Sequence, residues 1–454
     1  MKKLIWIICF LLISVSAFAD TIYLTDFTDG WPMQRVGTSK LVTITGTYSG
    51  SPTSIQARIV QAGTSTEVVT WTTIVSSPSG NTFSGTLSVP QGNGVWYNVQ
   101  VRYGNSTGVV SNGTNSWGVG VDFIVNGQSN SALGWYLPSS NGTDSGTPNS
   151  LCRVKYAVTT GSDGDVFDYT GASAWVVPQY SAAIAFCNAM ATQLNMPIGL
   201  ILYGYGASAL SSGCEVGGYG HWLGTNSNCW STLSPVITAI GGKVEGDIFL
   251  QAEEEAEANC AVSSYSGYLL SYFTQVRTNT SATYIVVAGL NGCTWYGSHY
   301  AEIRTQQQTA VNTDSGNGNK TAYVDMSDLN IGNTSDYIHY SASNNVIVGQ
   351  RLAAALLAMY PAPTYTISGT VSGATQSGVT VACTGQTSTT TASDGTYSFT
   401  GLSAGSYTIT PSKTGYTFSP TSLSETVTSS NITGADFTAS AVTTGTQFFP
   451  WKYK

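Results

Sequence analysis

Apolar and polar positions alternate along the first and last stretches of the chain. Between these stretches the apolar residues gather in short blocks separated by helix-length segments. Leu41-Val42-Thr43-Ile44 and Ile55 to Val60 are rich in β-branched residues, and Tyr97, Val99, Val101 and Tyr103 alternate with polar neighbours. Gly and Pro clusters punctuate these runs at short spacing, which predicts an antiparallel sandwich over residues 20–118. The pattern changes near Val121. Val121 to Val125 reads as a short apolar strand running straight into Gly127-Gln128-Ser129-Asn130. Residues 181–194 read as a helix with Ile184, Cys187 and Ala191 on one face, stopped by Pro197, and Ile198 to Tyr203 reads as a buried strand. Further strands are expected at 248–251 and 284–290, and helices at 254–275, 299–312 and 342–359. Alternating strands and helices predict an α/β domain with a mainly parallel sheet over 119–360. Pro361-Ala362-Pro363 reads as a linker. Beyond it the alternations Tyr397/Phe399 and Tyr407/Ile409, set apart by Gly401 and Gly405, predict a second small sandwich over 364–440. A tail, 441–454, is Thr-rich and then aromatic and basic. The expected fold is therefore multidomain: a central three-layer α/β domain flanked by two all-β sandwiches.

The first residues match an export leader. Lys2 and Lys3 precede an apolar run from Leu4 to Ala17, too short for a membrane span, and Ala17-Phe18-Ala19 has the small-x-small form of a cleavage site. This predicts a signal peptide over 1–19 and a secreted, periplasmic or cell-surface location, with no membrane span. Charged residues make up only 9% of the chain, and the formal net charge of -8 becomes -10 without Lys2 and Lys3. An acidic balance with no basic stripe argues against nucleic acid or an anionic membrane as partner.

Cysteine usage fits an oxidising compartment. Cys152, Cys187, Cys214, Cys229, Cys260 and Cys293 lie in the middle of the chain, an even number that allows up to three disulfides of undetermined connectivity. Cys214 and Cys229 are close in sequence within a Gly-rich segment and are the expected pair. Cys383 shares a strand face with Val379 and Val381, which predicts a buried, unpaired thiol. Zinc is not expected, because no Cys-x-x-Cys pair or neighbouring His pair is present, and no metal or cofactor is implied.

The chain has three histidines, His221, His299 and His339, and a serine hydrolase needs one of them as base. Asp336 precedes His339 by three residues, so one turn of backbone can place a carboxylate beside the imidazole, although a surface turn has the same pattern. Ser129 follows an apolar strand in a tight turn, at the carboxyl end where ligand sites form in α/β sheets; an N-cap serine would look alike. His221 and His299 sit in aromatic-rich loops that fit packing, surface placement or stacking on sugar rings.

Gly127-Gln128-Ser129-Asn130, followed far downstream by Asp336-Tyr337-Ile338-His339, resembles the SGNH hydrolases. More narrowly it is similar to the sialate O-acetylesterase and acetylxylan esterase branch. The blocks between agree in order: Pro197-Ile198-Gly199-Leu200-Ile201, Gly206-Ala207-Ser208, Gln251-Ala252-Glu253, and Ile303-Arg304 with Gln307. The resemblance covers roughly 119–360 and implies a central SGNH-hydrolase-like domain with Ser129, Asp336 and His339 as the catalytic set. It also implies oxyanion donors from Ser129 and Gly206 N–H and the Gln251 side chain. Gln128, Asn130 and Glu253 would then orient the site, although an exposed acidic helix start over Glu253 to Glu257 fits the same residues. Two departures stand out. Ala207 replaces the second glycine of its block, and Ala252-Glu253-Glu254-Glu255 replaces Gly-Glu-Ser/Thr-Asp. Residues 367–371, 394–399 and 402–407 resemble a transthyretin-like, carboxypeptidase-regulatory-type module and imply no catalysis.

The function implied is a secreted esterase that removes O-acetyl groups from a carbohydrate. A non-catalytic glycan-binding or adhesive protein on a decayed esterase fold is a second reading, favoured by the altered blocks. A lipase or thioesterase of the same superfamily is a third. The sugar and the oligomeric state are not set by the sequence.

Overall fold

The computed structural model describes residues 20–104, 110–157, 174–215, 220–224, 226–292, 299–329, 338–361, 364–428 and 431–442. The leader expected at 1–19 and the aromatic part of the tail lie outside them. The chain divides into two compact units, one ending at Met359 and the other beginning at Tyr360.

The first unit opens with strands β1 (Ile22–Thr25), β2 (Trp31–Gln34), β3 (Ser39–Tyr48), β4 (Ile55–Gln61), β5 (Glu67–Val75), β6 (Thr82–Pro90), β7 (Tyr97–Tyr103) and β8 (Val110–Asn112). Strands β1, β3 and β6 form one antiparallel sheet; β4, β5, β7 and β8 belong to the facing one. Alternate residues point inward, as period-two patterning requires. Val42, Ile44, Ile55, Ala57, Ile59, Val99, Val101 and Trp117 fill the space between the sheets.

Strand β9 (Trp117–Gly127) is buried along its whole length. Its first four residues pair with β2 and Trp117 pairs with Tyr97, while Val121 to Gly127 pair with the parallel strand β11. The boundary expected at 118/119 therefore falls inside one continuous strand. Gly118 and Gly120 resemble turn residues in the sequence. In the fold they let Pro197 approach, since a Cβ on Gly120 would lie 1.9 Å from the Pro197 carbonyl oxygen.

The rest of this unit comprises β10 (Cys152–Tyr156), α1 (Ser181–Leu194), β11 (Ile198–Gly204), α2 (Asn228–Ala239), β12 (Gly246–Leu250), α3 (Glu253–Ala258) and α4 (Tyr265–Thr280). It ends with β13 (Tyr284–Ala288), α5 (His299–Gly316), β14 (Lys320–Val324) and α6 (Ala342–Met359). The parallel sheet runs β10-β11-β9-β12-β13-β14. One face is covered by α2, α4 and α5 through Leu233, Leu269, Phe273 and Ile303. The other carries α1 and α6, with Phe186 edge-on to Phe123. This is the three-layer α/β domain.

The single helix expected at 254–275 is two helices. Asn259 and Ala261 adopt left-handed φ values of 49° and 51°, which end α3 and turn the chain before α4. Between them Cys260 bonds to Cys214. The expected Cys214–Cys229 pair is thereby corrected: Cys229 is a buried free thiol inside α2.

The second unit is a sandwich of two four-stranded sheets. One contains β15 (Tyr365–Gly373), β18 (Thr396–Leu402), β20 (Tyr416–Ser419) and β22 (Phe437–Ala441). The other contains β16 (Thr380–Cys383), β17 (Thr389–Thr390), β19 (Gly405–Ser412) and β21 (Leu423–Val427). Ile367, Val371, Val381, Phe399 and Ile409 form its core together with Cys383, a buried free thiol as expected. Among the described residues no helix is long and apolar enough to cross a membrane.

Candidate active site

The nucleophile turn begins where β9 ends. Gly127 has φ +134°, and a Cβ there would meet the Leu250 carbonyl oxygen at 1.9 Å, so only glycine fits between β9 and β12. Gln128 N–H donates to Leu250 O at 2.8 Å, and Tyr205 N–H donates to Gly127 O at 2.9 Å. The turn is thus pinned to both neighbouring strands at their carboxyl ends. Ser129 opens a single 3-10 turn, Ser129–Ser131, closed by the Ser131 hydroxyl on Gln128 O at 2.6 Å.

His339 comes from the segment before α6. Its Nε2 lies 2.7 Å from Ser129 Oγ. Two residues 210 positions apart are therefore in hydrogen-bond contact at the strand-end crevice where such sites form. Asp336 lies outside the described residues.

Asn130 holds the two parts together. Its Nδ2 donates to Glu253 Oε1 at 2.8 Å and to Ile338 O at 3.3 Å, while its Oδ1 accepts from Tyr340 N–H at 3.4 Å. Asn291 adds a second tie, donating to Ile338 O at 2.7 Å, and Arg304 donates to Asn291 O at 3.1 Å. Asn291 lies three residues beyond the end of β13. It was missed in the sequence, although the same strand-end rule that selected Ser129 points to it.

Gln128 and Gln251 are both buried. Gln128 Oε1 accepts from Ala252 N–H at 3.0 Å and Glu254 N–H at 3.2 Å, fixing the start of α3. Gln251 Nε2 donates to Ser208 O at 3.0 Å and to Glu255 Oε2 at 2.7 Å, and lies 3.2 Å from Gln128 Oε1. Tyr265 hydroxyl donates to Gln251 Oε1 at 2.7 Å. An amide nitrogen carries two hydrogens, and here both are spent. This corrects the expectation of Gln251 as the third oxyanion donor: its amide ties the loop after β11 to the loop after β12. The Ser129 and Gly206 N–H groups have no protein acceptor among the described residues. Gln307 supports the same corner, donating to Gln251 O at 3.1 Å.

Glu253, Glu254 and Glu255 are buried, which removes the reading of an exposed acidic helix start. Burial raises the Glu253 carboxyl above the usual range, against the opposing pull of Asn130. Burial likewise pushes Glu255 up to about 7, opposed by donation from Leu210 N–H and Gln251. Glu255 thus bridges Leu210, in the Gly206 loop, to Gln251. The Cys214–Cys260 disulfide ties the Gly206 loop covalently to the turn that ends α3.

The other histidines lie apart from this cluster. His221 pairs with Glu215 through Nδ1. Its neighbour Trp222 is fully buried, with ring centroids 5.6 Å from Tyr203 and 6.0 Å from Phe249, so that part of the loop is packing. His299 is the first residue of α5.

Comparison with known proteins follows the same division of the chain. No curated protein sequence matches it. Among solved structures it is similar to a carbohydrate acetylesterase from Xanthomonas citri, with 16% identity, TM-score 0.47, and 88% of this chain and 84% of the other covered. It is also similar to a protein from Arabidopsis thaliana (18% identity, TM-score 0.39, 52% of this chain and 97% of the other). A family two carbohydrate esterase from Cellvibrio japonicus gives 11% identity and TM-score 0.33 over 75% of this chain and 98% of the other. The profile of the second β-sandwich domain of BOS complex subunit NOMO1-like proteins matches residues 364–441. That of the carbohydrate esterase, sialic acid-specific acetylesterase family matches residues 122–358, just over half of the chain, and the chain belongs to that family.

Proposed function

We propose that this protein is an exported serine esterase that removes O-acetyl groups from a carbohydrate, a sialate or an acetylated polysaccharide, through an acyl-enzyme. The observation that carries the reading is the 2.7 Å contact between Ser129 Oγ and His339 Nε2 at the carboxyl end of β9. Ser129 Oγ attacks the ester carbonyl carbon as its proton passes to His339 Nε2. The Ser129 and Gly206 N–H groups receive the oxyanion, for which they have no competing protein acceptor among the described residues. As the tetrahedral intermediate collapses, His339 returns the proton to the departing sugar oxygen. Water then attacks the acyl-serine, His339 takes its proton, and acetate leaves as Ser129 is restored. Asp336 is assigned the role of holding the imidazole tautomer, and Asn130 and Glu253 that of fixing the His339 segment against the nucleophile turn. The leader-like apolar run of residues 4–17 and the Cys214–Cys260 disulfide support export.

Hydrolysis of p-nitrophenyl acetate, compared with longer acyl esters, tests the reading. Acetate preference is expected, with Ser129→Ala losing on the order of 10³-fold or more. Long-chain preference would move the protein to the lipases or thioesterases. Absence of hydrolysis by the wild type would leave a glycan-binding role on an inactive fold.

A further inference from the structure

A second site is built on the sandwich face that points away from its core. In β4 and β7, Ala57, Ile59, Val99 and Val101 are buried, and the residues between them face outward. There Gln56 stands opposite Arg102, and Arg58 opposite Gln100. Each guanidinium is held by its neighbour: Arg102 Nε donates to Gln56 Oε1 at 2.8 Å, and Arg58 Nε to Gln100 Oε1 at 2.6 Å. Both lie on one indole, with Arg102 Cζ 4.2 Å and Arg58 Cζ 4.9 Å from the Trp71 ring centroid. Trp71 comes from β5, which ends the sheet, and the β4–β5 register slips between Ala57 and Ile59 beside it. Such a bulge re-aims side chains and recurs at binding sites on sheet edges.

Charge decides what this face fits. The chain has 16 Lys and Arg against 24 Asp and Glu, so two arginines on one indole are a local exception. Arg58 has one counter-charge, Glu67, at 3.2 Å, and both side chains keep solvent access, at 26% and 35% exposed. Among the described residues Arg102 has no carboxylate partner, and its two terminal nitrogens are unspent. A planar fork with two free nitrogens matches a carboxylate bidentately. The indole backs both guanidiniums and holds them side by side toward solvent. From this arrangement we infer that Trp71, Arg58 and Arg102 form a binding site for a polysaccharide bearing sugar carboxylates. The site is independent of the chemistry at Ser129. Strand β9 alone, at roughly 3.3 Å per residue, runs about 33 Å from the sandwich to the nucleophile turn, so the face would hold a polymer at a distance from the residue being deacylated.

Affinity electrophoresis of the full chain in gels containing polygalacturonate, neutral xylan or dextran sulfate tests it. Retardation by polygalacturonate alone is expected. Arg102→Gln, which preserves the length and polarity of the side chain, and Trp71→Ala should each weaken retention about tenfold. Both variants should hydrolyse p-nitrophenyl acetate like the wild type, which reports a folded protein whatever the outcome at the face. No retardation by polygalacturonate, retention unchanged in Arg102→Gln, or equal retention on dextran sulfate would overturn the inference.

Discussion

Asn130 Nδ2 lies 2.8 Å from Glu253 Oε1, while Glu253 Oε2 is buried with no hydrogen-bond partner among the described residues. One carboxylate oxygen thus positions the turn that follows Ser129, and the other makes no hydrogen bond to Ser129 or His339. A group that only orients needs an acceptor at Oε1, not a charge. Glu253→Gln keeps that acceptor and is expected to hold kcat/KM for p-nitrophenyl acetate within about tenfold. Glu253→Ala removes it, leaves Asn130 unsatisfied and loosens the His339 segment, with an expected loss on the order of 10²-fold. Equal losses in the two variants would assign Glu253 to proton transfer.

The two alanines that replace family glycines both have positive φ: 52° at Ala207 and 138° at Ala252. The second value lies in a region that L side chains rarely adopt. Such backbone costs on the order of 1–3 kcal/mol per residue, partly offset because glycine adds roughly 0.5–1 kcal/mol of unfolded-state entropy. Ala207→Gly and Ala252→Gly are each expected to stabilise the protein by about 1 kcal/mol, with the larger gain at 252. Urea midpoints of the single variants check this, and a lowered midpoint at both positions would show that the strain is absorbed elsewhere.

The Cys214–Cys260 bond closes a loop with a sequence separation of 46, worth about 4 kcal/mol in a chain-entropy account. It also ties the Gly206 loop to the α3 segment. Cys260→Ser should therefore lower both thermal stability and kcat, and reductant should have no further effect on that variant. Cys229→Ser should leave the response to reductant as in the wild type. Peptide mapping without reduction should recover the 214–260 pair; recovery of 214–229 would overturn the assignment.

The pairing of Ser129 with His339 was legible because a strand end, a tight glycine turn and ordered motif blocks all point to it. The disulfide was not, because proximity in sequence favours Cys229 while the folded loops bring Cys260 to Cys214. Helix α2 escaped notice with Pro235 inside it, and β10 and β14 because each is only five residues long with basic side chains, Arg153 and Lys155 in the first and Lys320 in the second. Gln251 was identified as a site residue, but the direction of its amide depends on Ser208, in the loop after β11, and on Glu255, in α3. Sequence pattern locates side chains along elements and at strand ends. It does not say which acceptor wins a given N–H.

The buried carboxyls make stability depend on pH in a direction opposite to ordinary acid denaturation. Asp247 is fully buried on β12, the strand paired with the nucleophile strand, bonded to Asn126 and 3.3 Å from the Tyr272 hydroxyl. Burial pushes it from 3.8 to about 7 despite those bonds, and Glu255 is raised from 4.5 to about 7. Asp122, Glu253 and Glu254 are raised by the same cause. Between about pH 4 and 7 the unfolded chain has released the Asp247 and Glu255 protons and the folded chain retains them. The folded state then binds more protons than the unfolded one, so stability falls as pH rises through that window, approaching about 1.4 kcal/mol per pH unit for each group. The lowered carboxyls Asp144 and Asp314 act in the opposite sense, but below about pH 4. Urea midpoints are therefore expected to decline from pH 5 to pH 8. Asp247→Asn, which cannot ionise, should remove one group's share and flatten the decline. A midpoint that rises over this range, or an unchanged slope in Asp247→Asn, would show that Asp247 does not titrate there.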